Sequence, residues 1–327
     1  MTIATRLTKR LGIRHPVLLA PMGSASGGRL AAAVSAAGGL GLIGGGYGDQ
    51  AWLDEQFAAA GNQRVGCGFI TWSLAKQPQL LAPVLARRPA ALMLSFGDPA
   101  PFAPAVKASG AALICQVQTL AHARTALACG ADIIVAQGAE AGGHGATRGL
   151  FPLLPGVVDL VAAARPETIV VAAGGIADGR GLAAALMLGA EGVLLGTRFY
   201  ASEESLAHPN AKRRAAEAGG DETLRTTVID LIRDIDWPAG FTARMIANTL
   251  TATWHGNEAT LAAAKAVEIP RYEAHRLAGD FSVAGVLAGE GIDLIHDVPS
   301  AGSIVERLVG EAEATLAARP RAVLTAS

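Results

Sequence analysis

The chain has 327 residues, of which 51% are hydrophobic and 17% charged, so it can bury one large core and is too apolar for disorder. Its 27 basic and 28 acidic residues leave no electrostatic footprint for nucleic acid or an anionic membrane, and a small molecule is the expected partner. Cys67, Cys115 and Cys129 fit neither a zinc pattern nor a disulfide framework and read as reduced core residues.

The amino-terminal stretch lacks a signal-peptide apolar core with a cleavage site. No run reaches the ~18 uninterrupted apolar residues of a membrane span, so a cytoplasmic location is expected. From there short apolar runs alternate with alanine-rich stretches of helical length, the rhythm of strand-helix units in a parallel sheet. Strands are expected over 16–20, 41–43, 65–69, 91–95, 112–117, 133–137, 169–173 and 192–195, with crossover helices over 28–37, 50–60, 119–129 and 179–188. Several runs (LLA, ALML, IIVA, IVVAA) are continuously apolar, as strands covered on both faces must be. Eight such units predict a (β/α)8 TIM barrel over 1–218, whose last helix begins near 201 and continues to about 218. Residues 219–327 break the rhythm. A WPAGF turn at 237–241 and amphipathic stretches at 259–267 and 304–316 predict a mainly helical appendage packed at the barrel mouth. Homo-oligomerisation stays open.

The chemistry of such a barrel sits at the carboxyl ends of its strands. The first strand ends in APMG, placing Met22 and Gly23 at the rim, where a soft thioether and bare backbone can lie along a planar ring; a core methionine is the plainer reading. After the sixth strand comes QGAEAGGHG (137–145). A lone loop histidine usually bonds to backbone, but flanking glycines at a strand's carboxyl end make His144 a candidate base. Gln137 is placed to bond cofactor or substrate, and Glu140 reads equally as a solvated carboxylate. The turns AAGGIADG (172–179) and LGTRF (195–199) make Gly174, Gly175, Gly196 and Thr197 phosphate candidates, since glycine lets backbone N–H groups approach an anion. Simple strand-ending turns are the alternative. The other six histidines are dispersed, with no HExxH, so no metal site is expected; GxSxG, GxGxxG and a Walker loop are absent.

Taken in order, APMG, SAAGGLGLIGGG, GADIIVAQGAEAGGHG, AAGGIADG and GTRFYASEES resemble the nitronate monooxygenase family, formerly the 2-nitropropane dioxygenases, within the FMN-dependent barrel superfamily, over about 1–220. The resemblance implies a flavoprotein oxidoreductase in which Met22 and Gly23 border FMN and Gln116 and Gln137 reach its polar edge. It further implies that Gly142 and Gly143 line the ring or phosphate side, that Gly174, Gly175, Gly196 and Thr197 hold the phosphate, and that His144 is the catalytic residue. Alkyl nitronates, or nitroalkanes after proton removal, would be oxidised by dioxygen to a carbonyl compound and nitrite. One stretch departs from the family: GCGFITW (66–72) replaces a GVN-type turn, and Trp72 with Phe96 is expected to narrow the substrate pocket. Two alternatives remain: an FMN- and NAD(P)H-dependent enoyl-acyl-carrier-protein reductase with a similar AGGH loop, and a non-catalytic barrel that binds flavin or a phosphorylated metabolite.

Overall fold

A computed structural model describes residues 2–324. Its strands run β1 (Val17–Leu19), β2 (Leu42–Gly44), β3 (Gly66–Ile70), β4 (Ala91–Ser95), β5 (Ala112–Val117), β6 (Ile133–Gln137), β7 (Gly143–Gly145), β8 (Ile169–Ala173) and β9 (Val193–Leu195), followed by β10 (Thr223–Thr226) and β11 (Thr242–Ile246). All but β7, β10 and β11 form one parallel sheet in the order β1-β9-β8-β6-β5-β4-β3-β2. A parallel bridge between Leu18 and Leu40 joins its two ends and closes the barrel.

Side-chain alternation divides the core. Leu18, Met93, Ile114, Val135, Val171 and Leu194 fill the barrel interior, while Leu92, Leu94, Leu113, Ile134, Val170 and Val193 face the surrounding helices. The helix Arg6–Leu11 plugs the amino-terminal end of the barrel with Leu7 and Leu11, leaving the carboxyl end free for chemistry. Cys67 and Cys115 are free and buried, and burial pushes both thiols up to about 12.

The expected strands are all present, and β4, β5, β6 and β8 coincide with expectation at both ends. Two features differ. The single helix expected to start near 201 is instead a short helix Thr197–Tyr200, an irregular link, and a helix Pro209–Glu217. Pro209 sits in the first turn of the second helix, where its missing N–H is not needed, and the His208 side chain caps that turn by accepting from the Asn210 N–H. The carboxyl-terminal segment, expected to be mainly helical, also carries two strands that the sequence reading did not place. Its strands β10 and β11 make an antiparallel sheet whose third member is β7, so Ala243 pairs with His144.

Both amphipathic stretches of that segment are helical, in Glu258–Leu277 and Ala301–Val323. The first packs with the short helix Val228–Ile232 beside the mouth. The second runs down the barrel flank against the helices Gly28–Ala36 and Gly179–Met187, with Ile304, Val305, Leu308 and Val309 in the main core. It stands where an eighth barrel helix would close the outer ring. Among the described residues no helix is long and apolar enough to cross a membrane.

Candidate active site

The loop leaving β6 returns to the barrel mouth as β7, a strand with two glycines in three residues and little intrinsic strand preference. Its state is imposed by β11. Arg225 and Arg244, a cross-strand pair on β10 and β11, both donate to the Ala139 carbonyl at 3.1 Å, and Arg225 also donates to the carbonyls of Gly145 and Thr242. Burial first, and the neighbouring Arg244 charge second, bring Arg225 down to about 10.

This frame fixes His144. The ring is buried, its Nε2–H donates to Asp230 Oδ1 at 2.8 Å, and Trp237 stacks on it with centroids 3.4 Å apart and planes 7° from parallel. Trp237 is itself held by donating from Nε1 to the Tyr47 hydroxyl at 3.0 Å. Burial lowers the His144 pKa below its ordinary value. The Asp230 hydrogen bond and charge oppose that shift, and Arg233 and Arg225 add to it. The imidazole is therefore neutral near pH 7. With Nε2 donating to the Asp230 carboxylate, the lone pair is on Nδ1, free to accept a proton. Asp230 lies on Val228–Ile232, and its Oδ2 is buried without a partner among the described residues.

Below the histidine runs a chain of side-chain amides. Gln137 Oε1 accepts from Gln118 Nε2 at 2.8 Å and from Gln116 Nε2 at 3.1 Å, while Gln137 Nε2 donates to the His144 carbonyl at 3.0 Å. The structure thus brings together Gln116, Gln137 and His144 and adds Gln118, which sequence reasoning missed. The signal was present: in QVQ the glutamines are two residues apart and share one face of an extended segment.

The glycines fall into two groups. Gly174 and Gly175 have φ of +103° and +69°, where a side chain would be strained, and they turn the chain sharply after β8. A Cβ at Gly175 would stand 3.2 Å from Glu140 Cβ. Gly142 is occupied on its side-chain face: a Cβ there would lie 2.5 Å from the Ala288 carbonyl carbon, so Gly142 admits the 288–291 segment. Gly143 and Gly23 are different, since a Cβ would find nothing within 4 Å at Gly143 and only Gly46 Cα, 3.8 Å away, at Gly23. At Gly196 the nearest atom would be Met22 Sδ at 3.6 Å, which puts the thioether of the first loop beside the last. Thr197 Oγ1 accepts from the Gly289 N–H at 3.0 Å, and the Glu290 N–H donates to the Glu140 carbonyl at 2.9 Å. The 288–291 segment therefore threads among the loops after β6, β8 and β9. The Glu140 carboxylate accepts from the Leu150 N–H at 2.9 Å and caps the following helix, so its role is structural.

The opposite side of the mouth is aromatic. Tyr47 follows β2, Trp72 follows β3 and Phe96 follows β4, and they meet Trp237 and Phe241 from the link before β11.

The sequence model described as nitronate monooxygenase matches residues 4–63 and 69–311. The match lapses at 64–68, where the departing GCG of β3 begins. A nitronate monooxygenase of Neurospora crassa is 34% identical, with 92% of this chain and 90% of that protein covered. A Mycobacterium tuberculosis protein named (3aS,4S,5R,7aS)-5-hydroxy-7a-methyl-1-oxo-octahydro-1H-indene-4-carboxyl-CoA dehydrogenase is 32% identical, with 95% of this chain and 97% of that protein covered. Among solved structures, FabK from Thermotoga maritima is similar at a TM-score of 0.85 and 30% identity, over 99% of this chain and all of that one.

Proposed function

The chain belongs to the nitronate monooxygenase family, an oxidoreductase family of flavin-binding barrels, and from that premise we propose that it uses FMN to oxidise alkyl nitronates with dioxygen to a carbonyl compound and nitrite. The observation that carries the reading is the buried His144–Asp230 pair at the carboxyl end of the barrel, beside glycines whose side-chain positions stand open.

The residues present fit a flavin. Gly23 and Gly143 leave a bare cradle, Met22 beside Gly196 supplies a polarisable edge, and the Gln116 and Gln137 amides offer donors and acceptors to a polar ring margin. Gly174, Gly175, Gly196 and Thr197 are the residues we assign to the phosphate. When bound, FMN supplies electron transfer between substrate and dioxygen.

The protein's part is proton handling and position. His144, held neutral by burial, takes the α-carbon proton of a neutral nitroalkane at Nδ1. Asp230 accepts the Nε2–H throughout and balances the imidazolium that forms. Trp237 covers one face of the ring and keeps water from it. A nitronate that arrives ionised has already lost this proton and depends less on the base.

His144→Ala tests the assignment. It should keep FMN bound, seen in the visible spectrum, and lose ~100-fold or more in kcat/KM for neutral nitroethane. Unchanged turnover removes His144 from the mechanism. The carboxyl-CoA name of the M. tuberculosis relative favours a second reading, a thioester-directed enzyme such as an NAD(P)H-dependent enoyl-acyl-carrier-protein reductase. Anaerobic NADH bleaching the flavin, with no oxygen uptake on any nitronate, would establish that reading instead.

A further inference from the structure

Residues 236–241 cross the barrel mouth between the helix Val228–Ile232 and β11, and they are attached differently from what flanks them. On one side the Ile235 N–H donates to the Asp230 carbonyl at 2.9 Å, and on the other Thr242 begins the ladder with β7. Between these anchors the main chain is free. Among the described residues, the one main-chain hydrogen bond of residues 236–240 stays within the segment, from the Phe241 N–H to the Pro238 carbonyl at 3.3 Å. Asp236, Pro238, Ala239 and Gly240 are exposed. The segment is therefore held by two side chains. Trp237 stacks on His144 at 3.4 Å, packs at 5.4 Å from Trp72 and 5.2 Å from Phe96, and donates from Nε1 to the Tyr47 hydroxyl at 3.0 Å. Phe241 packs at 5.4 Å from Phe96 and 6.2 Å from His122.

The group beneath this segment is closed. Asp230 occupies Nε2 of His144, Trp237 covers one face of its ring, and only 7% of the side chain is exposed. A base has to stand ~3 Å from the atom whose proton it takes, so a substrate needs more of the imidazole edge than that. Some part of the cover has to move. Displacing β11 would break its ladders with β7 and β10, and displacing Val228–Ile232 would expose Val228, Ile229 and Ile232, all buried. Displacing residues 236–241 breaks one hydrogen bond to the rest of the protein, Trp237 to Tyr47, together with ring contacts.

We propose that residues 236–241 form a flap that swings out to admit substrate to His144 and closes over it again, with the Tyr47 hydroxyl as its latch. Open, the Trp237 indole leaves the imidazole. Closed, it stacks on the ring and excludes water. Tyr47 is then a positioning residue that acts through Trp237. Access to His144 matters whichever reaction that histidine serves, so the flap stands or falls apart from the nitronate assignment.

Diethyl pyrocarbonate, which acylates neutral imidazole nitrogens, measures that access without turnover. The FMN-loaded enzyme is labelled at pH 8, where unperturbed histidines are neutral, and each histidine is followed by peptide mass spectrometry. His144 should be labelled at least ~10-fold more slowly than the exposed His296. Tyr47→Phe keeps the ring and removes the latch, and should speed His144 labelling about fivefold. Gly240→Ala touches no neighbour, because a Cβ there finds nothing within 4 Å, but it strains the closed turn at φ +91°; it should speed labelling about fivefold or more. Gly110→Ala carries the same kind of strain at φ +82° with the same free space, before β5 at the far end of the barrel, and should leave His144 labelling unchanged. His296 should react alike in all of these proteins, and retained flavin absorbance shows that each is folded. Labelling of His144 as fast as His296 in the wild type would mean that nothing closes over it. An unchanged His144 rate in both Tyr47→Phe and Gly240→Ala would mean that the cover is fixed, and either result overturns the flap.

Discussion

Replacing Asp230 with asparagine removes one charge from the candidate site and leaves its shape in place. Asp230 Oδ1 accepts from His144 Nε2 at 2.8 Å, and both side chains are buried, so little solvent screens the pair. The His144 pKa is set by opposing effects: burial lowers it most, the Asp230 hydrogen bond and charge raise it, and Arg233 and Arg225 lower it further. Asparagine removes the charge, leaves only a weaker neutral hydrogen bond and touches none of the lowering effects, so the pKa falls further below its ordinary value. A hydrogen bond to a charged group contributes ~1.5–3 kcal/mol. At ~1.4 kcal/mol per decade, the imidazolium formed during proton abstraction is disfavoured about 10- to 100-fold. Turnover of neutral nitroethane should fall by that factor. Turnover of ethylnitronate, which has already lost the proton, should be largely spared. Because the neutral imidazole now persists to lower pH, the acid limb of the nitroethane profile should move down in pH. Oxygen uptake with both substrates from pH 5 to 9, with ring-nitrogen NMR of His144, measures both effects. Equal losses on the two substrates, or an acid limb displaced upward, would mean that Asp230 does not act through the His144 proton.

Trp237→Ala should have the opposite effect on the same group. Stacking at 3.4 Å supplies much of the burial that holds His144 neutral, so its removal should raise the pKa toward the ordinary value and move the acid limb up; NMR titration that finds no rise counts against the stack as the cause. Gly175→Asp and Gly175→Ala both place a side chain at φ +69°, which costs alanine ~1–2 kcal/mol and aspartate less, and they differ in charge. The alanine variant should be less stable but yellow, and the aspartate variant colourless, because a carboxylate would face the phosphate; an aspartate variant that retains full flavin absorbance rejects the phosphate assignment. His15, His122 and His144 all have lowered pKa values, with burial the main cause in each. The unfolded chain therefore takes up protons that the folded one refuses, so their contribution is intact above pH ~6.5 and is lost as pH falls below it. The urea midpoint should decline between pH 7 and pH 5, and a flat or rising midpoint would contradict the assignment.

What could be read from the sequence follows from how local each feature is. The strands β4, β5, β6 and β8 are apolar on both faces, and a run such as IIVA or IVVAA between helical stretches announces itself. The helix Ala301–Val323 was legible as a helix, but an amphipathic stripe shows that a face is buried and not what buries it; its placement on the flank between two barrel helices depends on the space left in the outer ring. Gly142 and Gly143 look alike in sequence, yet the 288–291 segment closes over one while the other stays open, a distinction made by residues nearly 150 positions away. Asp230 is 86 residues from the histidine it orients. A partial signal existed there: an acid inside VIDLI, where its neighbours are apolar, must either be exposed or find a buried partner, and His144 is that partner.

The surroundings of His144 are less local than the glycine turns. The glycine turns after β8 and β9 are written in consecutive residues because a tight turn is a property of the backbone itself. A base needs a partner that sets its tautomer and a wall that sets its solvation. Here Asp230 and Trp237 come from one stretch, 228–241, brought over the barrel by β11 pairing with β7. That pairing places Ala243 opposite His144, so the strand that delivers the wall also fixes the backbone of the histidine. The proposed proton handling is therefore inseparable from the docking of β10 and β11 on β7, even though neither of those two strands supplies the base.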